Sequence, residues 1–277
     1  MTAKELLAAA AAAGCTAGLC PFEAIAEGLL PCRAASRLPQ TPQTVLCVLF
    51  PYRFAGEKPQ NLSRYAAVPD YHTVAGAVLE EIARSLRESD PTGVYEAFMD
   101  NSPLPEVRVA VAAGLGVRGD NGLFYSHEYG SFVFIGAIVT DRAVGATAHP
   151  PVSCPHCGAC ASVCPTAALS AAGVDRARCL SAITQKKGEL TTEQAAALCH
   201  AGSAWGCDIC QEICPLNRQA TVAPHPCFTA YRPTLTIDDL EDLHDKAYGW
   251  RGRAVVERNL RLLENFQECG KNSCQNT

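Results

Sequence analysis

The sequence predicts an α/β (α+β) fold in three consecutive parts. Three observations carry this: helical and strand-like patterns alternate over the first half, a dense cysteine run follows, and a short helical stretch closes the chain. The parts span residues 1–148, 149–222 and 223–277.

The elements follow in order. An Ala-rich opening helix is expected over roughly Ala3–Ala13. The continuous apolar run Thr44–Phe50 suits a buried strand. Tyr71–Arg87 has helical spacing, with Val74, Ala77, Val78, Ile82 and Leu86 on one stripe. A strand ends at Met99–Asp100, and a helix from Pro103 stops at Gly114, a residue suited to the C′ position. Gly130–Val139 gives the clearest strand signal. Pro150 and Pro151 open the cysteine-rich part. Beyond it, two short helices are expected near Ile237–Ala247 and Arg253–Glu264, with a loose tail at Cys269–Thr277.

Composition narrows the function. The 277 residues suffice for one large domain or two moderate ones. With 48% apolar and 18% charged residues the chain is globular, and a net charge of −5 speaks against nucleic-acid binding through the overall field. Lys4 and Glu5 ahead of a weak alanine run do not make an export signal, and no stretch approaches the ~18 apolar residues of a membrane span. A cytoplasmic location without membrane contact is expected. Sixteen cysteines in such a chain point to metal ligation rather than disulfides.

Their spacing specifies the metal. Cys154-x2-Cys157-x2-Cys160-x3-Cys164-Pro165 is the bacterial ferredoxin run, in which three thiolates wrap one [4Fe–4S] cube and the fourth serves a second. Soft thiolates also suit zinc, but four this close, ending in Cys-Pro, favour the cluster. Cys207-x2-Cys210-x3-Cys214-Pro215 is a second half-motif whose missing first cysteine falls at Ala204. Cross-ligation gives one cluster Cys154, Cys157, Cys160 and Cys214. The other receives Cys164, Cys207, Cys210 and an eighth thiolate, for which Cys179 and Cys199 both remain open. Cys15, Cys20, Cys32, Cys47, Cys227, Cys269 and Cys274 lack ligand spacing. Cys47 suits a buried apolar role, and the rest read as incidental thiols.

Several motifs carry a family resemblance. CPHCGACASVCPTAAL, DRARCLSAITQKKG and WGCDICQEICPLNR, with SRYAAVPDYHTV, MDNSPLPEVRVAVAAGLGVRGDNG and GSFVFIGAIVTD upstream, resemble epoxyqueuosine reductase. That family uses cobalamin and iron–sulfur clusters to form queuosine in tRNA. The match covers roughly Ser63–Arg218. It implies a corrin-binding domain with an inserted ferredoxin-like double-cluster domain and a short helical C-terminal extension. The family pattern R-C-[IL]-S makes Cys179 the eighth ligand. Asp100 corresponds to the family's proton donor and Tyr71 to a tyrosine near the substrate. Arg64, Asp70, His72, Arg118, Asn121 and Ser131 lie in the matching motifs as corrin-binding candidates. The Gly-rich segment Gly114–Gly122 lacks dinucleotide order and is expected to approach the corrin.

The pattern also breaks. Asp120 stands where the family has lysine, which reverses a charge beside the expected cofactor site. The RNA-binding candidates are Lys186, Lys187, Arg218, Arg251, Arg253, Arg258 and Arg261. The expected partners are tRNA and an external low-potential electron donor. The alternatives are a corrinoid reductase acting on another substrate, akin to reductive dehalogenases, and a non-catalytic ferredoxin-like carrier.

Overall fold

A computed structural model of the chain describes residues 1–274, with side chains through Phe266. They form two compact units that share the chain alternately. Residues 1–54, 71–156 and 216–228 build the first, and residues 55–70, 157–215 and 229 onward build the second. These units differ from the linear division at 148 and 222. Segment 55–70 belongs with the cysteine-rich part because Leu62 and Ala66 are buried in that part's core.

In the first unit, α1 (Ala3–Ala12) opens with a capping box in which Thr2 and Glu5 satisfy each other's backbone N–H groups. Then come β1 (Thr16–Pro21), α2 (Glu23–Ala26), β2 (Thr44–Pro51), α3 (Tyr71–Ser89), β3 (Tyr95–Met99), α4 (Glu106–Ala112), β4 (Gly116–Arg118), β5 (Phe124–Ser126) and β6 (Val133–Thr140). The main sheet runs β1-β2-β6-β3, and every neighbouring pair is antiparallel, with Gly18 opposite Cys47 and Thr44 opposite Thr140. The architecture is therefore α+β. All eight residues of β2 are nevertheless buried, because helices cover both faces. Val45, Cys47 and Leu49 pack with Ile25 of α2 and with Val109 and Ala110 of α4. On the opposite face α3 lies so close that a Cβ on Gly136 would come within 2.9 Å of Leu79.

Two boundaries shift from expectation. The buried stripe of α3 is Ala75, Leu79, Ile82, Ala83 and Leu86, while Ala77 is exposed. Ile82 and Leu86 hold, and the upper part of the stripe turns toward Ala75 and Leu79. Helix α4 begins at Glu106 rather than Pro103, because Pro105 bars Leu104 from helical geometry. It ends as expected, with Gly114 in the left-handed region (φ +73°).

The second unit contains α5 (Ala159–Ser162), a two-residue ladder of β7 (Leu169–Ser170) and β8 (Gly173–Val174), α6 (Leu180–Thr184), α7 (Thr192–Ala201), α8 (Ile209–Glu212) and α9 (Arg253–Cys274). Its core gathers Leu62, Leu180, Ile183, Leu198, Trp205, Leu235, Leu240, Tyr248, Val256 and Leu260. Asn259, fully buried, donates to the carbonyls of Thr184 and Ala204, at 2.7 and 2.8 Å. The helix expected near Ile237–Ala247 is only a 3-10 turn at Asp238–Glu241, which ends where Asp242 turns extended. Helix α9 is longer than expected and runs into the segment read as a loose tail. The last three residues of that segment lie outside the described residues. Among the described residues, no helix is long and apolar enough to cross a membrane.

Candidate active site and cluster ligands

Three residues named from sequence meet in the first unit. Tyr71 and His72 open α3, and Asp100 begins the loop that leaves β3. The Tyr71 ring stacks on Phe134 of β6 (centroids 4.1 Å apart, 10° between planes) and on His72 (4.1 Å, 29°). This packing fixes its hydroxyl, which donates to Asp100 Oδ2. His72 Nε2 lies 3.1 Å from the same oxygen. The Asn101 N–H donates to Oδ1 at 2.7 Å. His72 and Asp100 keep 43% and 49% of their side-chain surface exposed, so the group faces solvent.

Asp100 and Asn101 both sit in the left-handed region, at φ +46° and +33°. Aspartate and asparagine enter that region more readily than other residues with a side chain, though less readily than glycine. The loop is held by Glu106, in the first turn of α4, whose Oε1 accepts the Asp100 N–H at 3.0 Å. Sequence reasoning assigned Glu106 no role. Its signal was an acid six residues after Asp100, just past a proline pair.

The two acids are driven apart. The His72 bond, above all, holds the Asp100 carboxyl well below the usual carboxylate range. Burial opposes this, and the Tyr71 and Asn101 bonds reinforce it. Burial, helped by the Asp100 charge, pushes Glu106 up to about 7. As arranged, Asp100 is an anion surrounded by donors, and Glu106 is the acid that keeps a proton near neutrality.

The corrin candidates divide. Arg118 is exposed at the end of β4. Asp70, in the second unit, is partly exposed, and its N–H donates to the Asp245 carbonyl at 3.0 Å. Three others are built into the protein. The Asn121 amide donates to the Tyr125 hydroxyl at 2.8 Å. The Ser131 N–H and Oγ both bond the Asn217 amide at 2.8 Å. Arg64 is buried in the second unit, where its guanidinium pairs with Glu212 at 2.5 Å. The Asp208 side chain, which accepts the Arg64 N–H, is pushed up to about 7, chiefly by burial. Asp120 meets His156 Nδ1 at 2.8 Å, and that atom lies 4.0 Å from Cys154 Sγ.

Cys154 lies in the first unit and the other seven expected ligands lie in the second. Each half-motif folds alike: short α5 carries Cys160 and short α8 carries Cys210, and both helices stop just before their Cys-Pro. The Cys164 sulfur accepts the Ala168 N–H at 3.3 Å. Burial works against its thiolate, but N–H groups of Thr166, Ala168 and Leu169 and the Thr166 hydroxyl outweigh that and lower its pKa. Cys207 is raised to about 11, first by burial, with the charges of Asp208, Cys179 and Cys164 also acting on it. Cys164, Cys179 and Cys207 thus stand close enough to feel one another. Cys199 turns elsewhere, its thiol 3.5 Å from the Leu262 carbonyl on α9. Gly206 precedes Cys207 at φ +75°, and a Cβ there would fall 2.0 Å from Ser63 Oγ, so only glycine fits. Outside the ligand set, burial drives the Cys15 and Cys20 thiols up to about 12 and Cys47 well above its ordinary value.

Among the RNA candidates, Arg253 and Arg261 both pair with Glu257, and Arg258 donates to the Lys186 and Gly188 carbonyls. Arg218 is exposed in the first unit. Lys186, Lys187 and Arg251 line one cleft in the second.

Comparison with known proteins identifies the family. Residues 33–101 match the family described as Epoxyqueuosine reductase QueG, DUF1730, and residues 153–217 match the 4Fe-4S double cluster binding domain. An epoxyqueuosine reductase from Gloeobacter violaceus is 37% identical over 231 residues, which span 78% of this chain and 72% of that protein. Two solved structures share the fold. The epoxyqueuosine reductase of Streptococcus thermophilus superposes with a TM-score of 0.78 at 24% identity, over 96% of this chain and 82% of that one. An epoxyqueuosine reductase with an epoxyqueuosine-modified tRNA-Tyr stem loop gives 0.77 at 23%, over 94% and 80%. With 37% identity over most of both proteins and family matches on residues 33–101 and on the cysteine motif, this chain belongs to the epoxyqueuosine reductase family.

Proposed function

We propose that this chain reduces epoxyqueuosine in tRNA to queuosine, using two [4Fe–4S] clusters and cobalamin. The observation that carries this is the solvent-facing Tyr71–His72–Asp100 group in a chain of this family that also bears a double-cluster domain. The cysteines fit their groups chemically. Cys154, Cys157, Cys160 and Cys214 would hold one cube, and Cys164, Cys179, Cys207 and Cys210 the other. The N–H bonds to Cys164 sulfur suit a ligated thiolate. Toward cobalamin, exposed His72 and Arg118 of the first unit would offer polar contacts for an amide-fringed ligand, with Asn121 and Ser131 of the same unit in the matching motifs.

Removing the epoxide oxygen as water takes two electrons and two protons. When bound, the corrin supplies the low-valent cobalt that makes such a reduction accessible. The protein's side chains handle protons and position. Asp100 Oδ2 accepts from Tyr71 Oη and His72 Nε2, so a proton can pass through this oxygen to a basic atom docked above it. Ring stacking on Phe134 orients Tyr71, and the Glu106 bond orients Asp100. Electrons enter from an external low-potential donor.

The test is anaerobic reconstitution with iron, sulfide and cobalamin, followed by assay on epoxyqueuosine-containing tRNA. Turnover is expected, and Asp100→Ala should abolish it with about eight irons per chain retained. Corrin bound without turnover by the wild type would assign another substrate and refute the proposal.

A further inference from the structure

The second unit contains a cationic cleft of about 380 Å³ that neither the cluster motif nor the Asp100 group uses. Four parts of the chain converge on it. Arg176 comes from the turn before α6, Lys186 and Lys187 from the turn after it, Gln194 from α7, and Arg251 from the turn before α9. In a chain of net charge −5, this gathers four cations, and among the described residues no carboxylate lines the cleft.

The cleft is also built rather than incidental. Arg258 reaches back from α9 to the Lys186 and Gly188 carbonyls and pins the backbone of the lysine turn. Lys186 Nζ is oriented by Gln194 Oε1 at 3.1 Å. The Arg251 guanidinium lies 3.7 Å above the Trp250 ring, and its Nε is buried without a partner. Trp250 keeps 60% of its surface exposed, more than any other large hydrophobic residue described. A buried donor lacking an acceptor is costly unless a ligand supplies one. Oriented cations beside an open aromatic face suit a nucleic-acid backbone with an unstacked base.

We infer that this cleft binds a backbone phosphate of the RNA substrate, held by Arg176, Lys186, Lys187 and Arg251, with the Trp250 face open to a neighbouring base. This rests on tRNA being the substrate and adds where that RNA is gripped. Arginine supplies the forked donors that match phosphate oxygens, and the lysines supply point charge.

The experiment measures binding of a labelled anticodon stem-loop RNA to the cluster-loaded protein across a salt series. The double substitution Arg176→Ala/Lys187→Ala should raise Kd about tenfold at 0.15 M salt. It should also flatten the slope of log Kd against log salt by roughly 1.5, as expected for about two lost phosphate contacts. Trp250→Ala should weaken binding about tenfold with the slope kept. Arg261→Ala, whose guanidinium is already paired with Glu257, should change little. An unchanged cluster spectrum confirms that each variant is folded. If the wild type binds RNA and both cleft variants match it in Kd and slope, the cleft assignment is overturned and the proposed activity stands. If the wild type binds no RNA, both fall. Saturable binding of inorganic phosphate in the cleft, together with RNA affinity indifferent to the substitutions, would assign a free-anion site and overturn the inference.

Discussion

Glu106→Gln isolates the carboxyl that holds the Asp100 loop. Glutamine keeps a carbonyl oxygen to accept the Asp100 N–H but cannot ionise. In the wild type the pKa of Glu106 is raised from 4.5 to about 7. A folded-state pKa above the unfolded one means that folding favours the protonated acid. Its contribution to stability is complete below about pH 4.5 and is lost as pH rises through about 7. The full difference corresponds to at most about 3 kcal/mol, and partial exposure and coupling to Asp100 reduce this to about 1–2 kcal/mol. Asp100 does not confuse the comparison. Its pKa is lowered, so its contribution is present above the ordinary carboxylate range and lost only in acid. Anaerobic melting of the cluster-loaded protein at pH 5.5 and pH 8 reads the effect. The variant's advantage over the wild type should grow between the lower pH and the higher, by about 2–4 °C. A difference between the two proteins that does not change with pH would show that Glu106 is not held as a protonated acid and would refute the reasoning.

Other outcomes follow from named contacts. Iron analysis of anaerobically reconstituted protein should give about four irons per chain for Cys179→Ala and about eight for Cys199→Ala, because the Cys199 thiol faces Leu262; the reverse pattern would exchange the ligand assignment. Tyr71→Phe keeps the stack on Phe134 but removes one donor to Asp100. Turnover should fall about tenfold or more, and its acid limb should move to higher pH as the Asp100 carboxyl loses a bond that favours its anion. Asn259→Ala strands the Thr184 and Ala204 carbonyls in the second unit's core and should cost about 2–3 kcal/mol by denaturant unfolding. Glu106→Ala removes the acceptor for the Asp100 N–H, so that amide should exchange with deuterium about tenfold faster than in the wild type.

Much of this was legible from local signals. Strand β2, the length of α3 and the stop at Gly114 follow from apolar runs and glycine chemistry, which act over a few residues. The cysteine spacing named the metal groups for the same reason. Properties of the assembled sheet were not legible. An apolar run buried on both faces looks the same in parallel and antiparallel sheets, so strand direction was hidden. Helical spacing tolerates a small rotation, so the stripe was set one residue off at Ala75 and Leu79. Arg64, Asn121 and Ser131 sit in motifs that resemble a cofactor site, and their bonds to Glu212, Tyr125 and Asn217 are with partners no local pattern reveals. Glu106 was missed because its importance comes from a bond across a loop to an amide six residues upstream, which no local pattern pairs with it.

The alternation of the chain between its two units constrains how such a protein can be dissected or recombined. Trp205, fully buried two residues before Cys207, is covered by Leu62 from upstream and by Leu235, Leu240 and Leu260 from downstream. A fragment cut at 149 and 222 would carry all eight thiols yet strip Leu62, Leu235, Leu240 and Leu260 from the core that buries that indole. The cysteine segment is thus no transplantable cassette. Moving it to another protein would require the flanking stretches 55–70 and 229 onward to move with it.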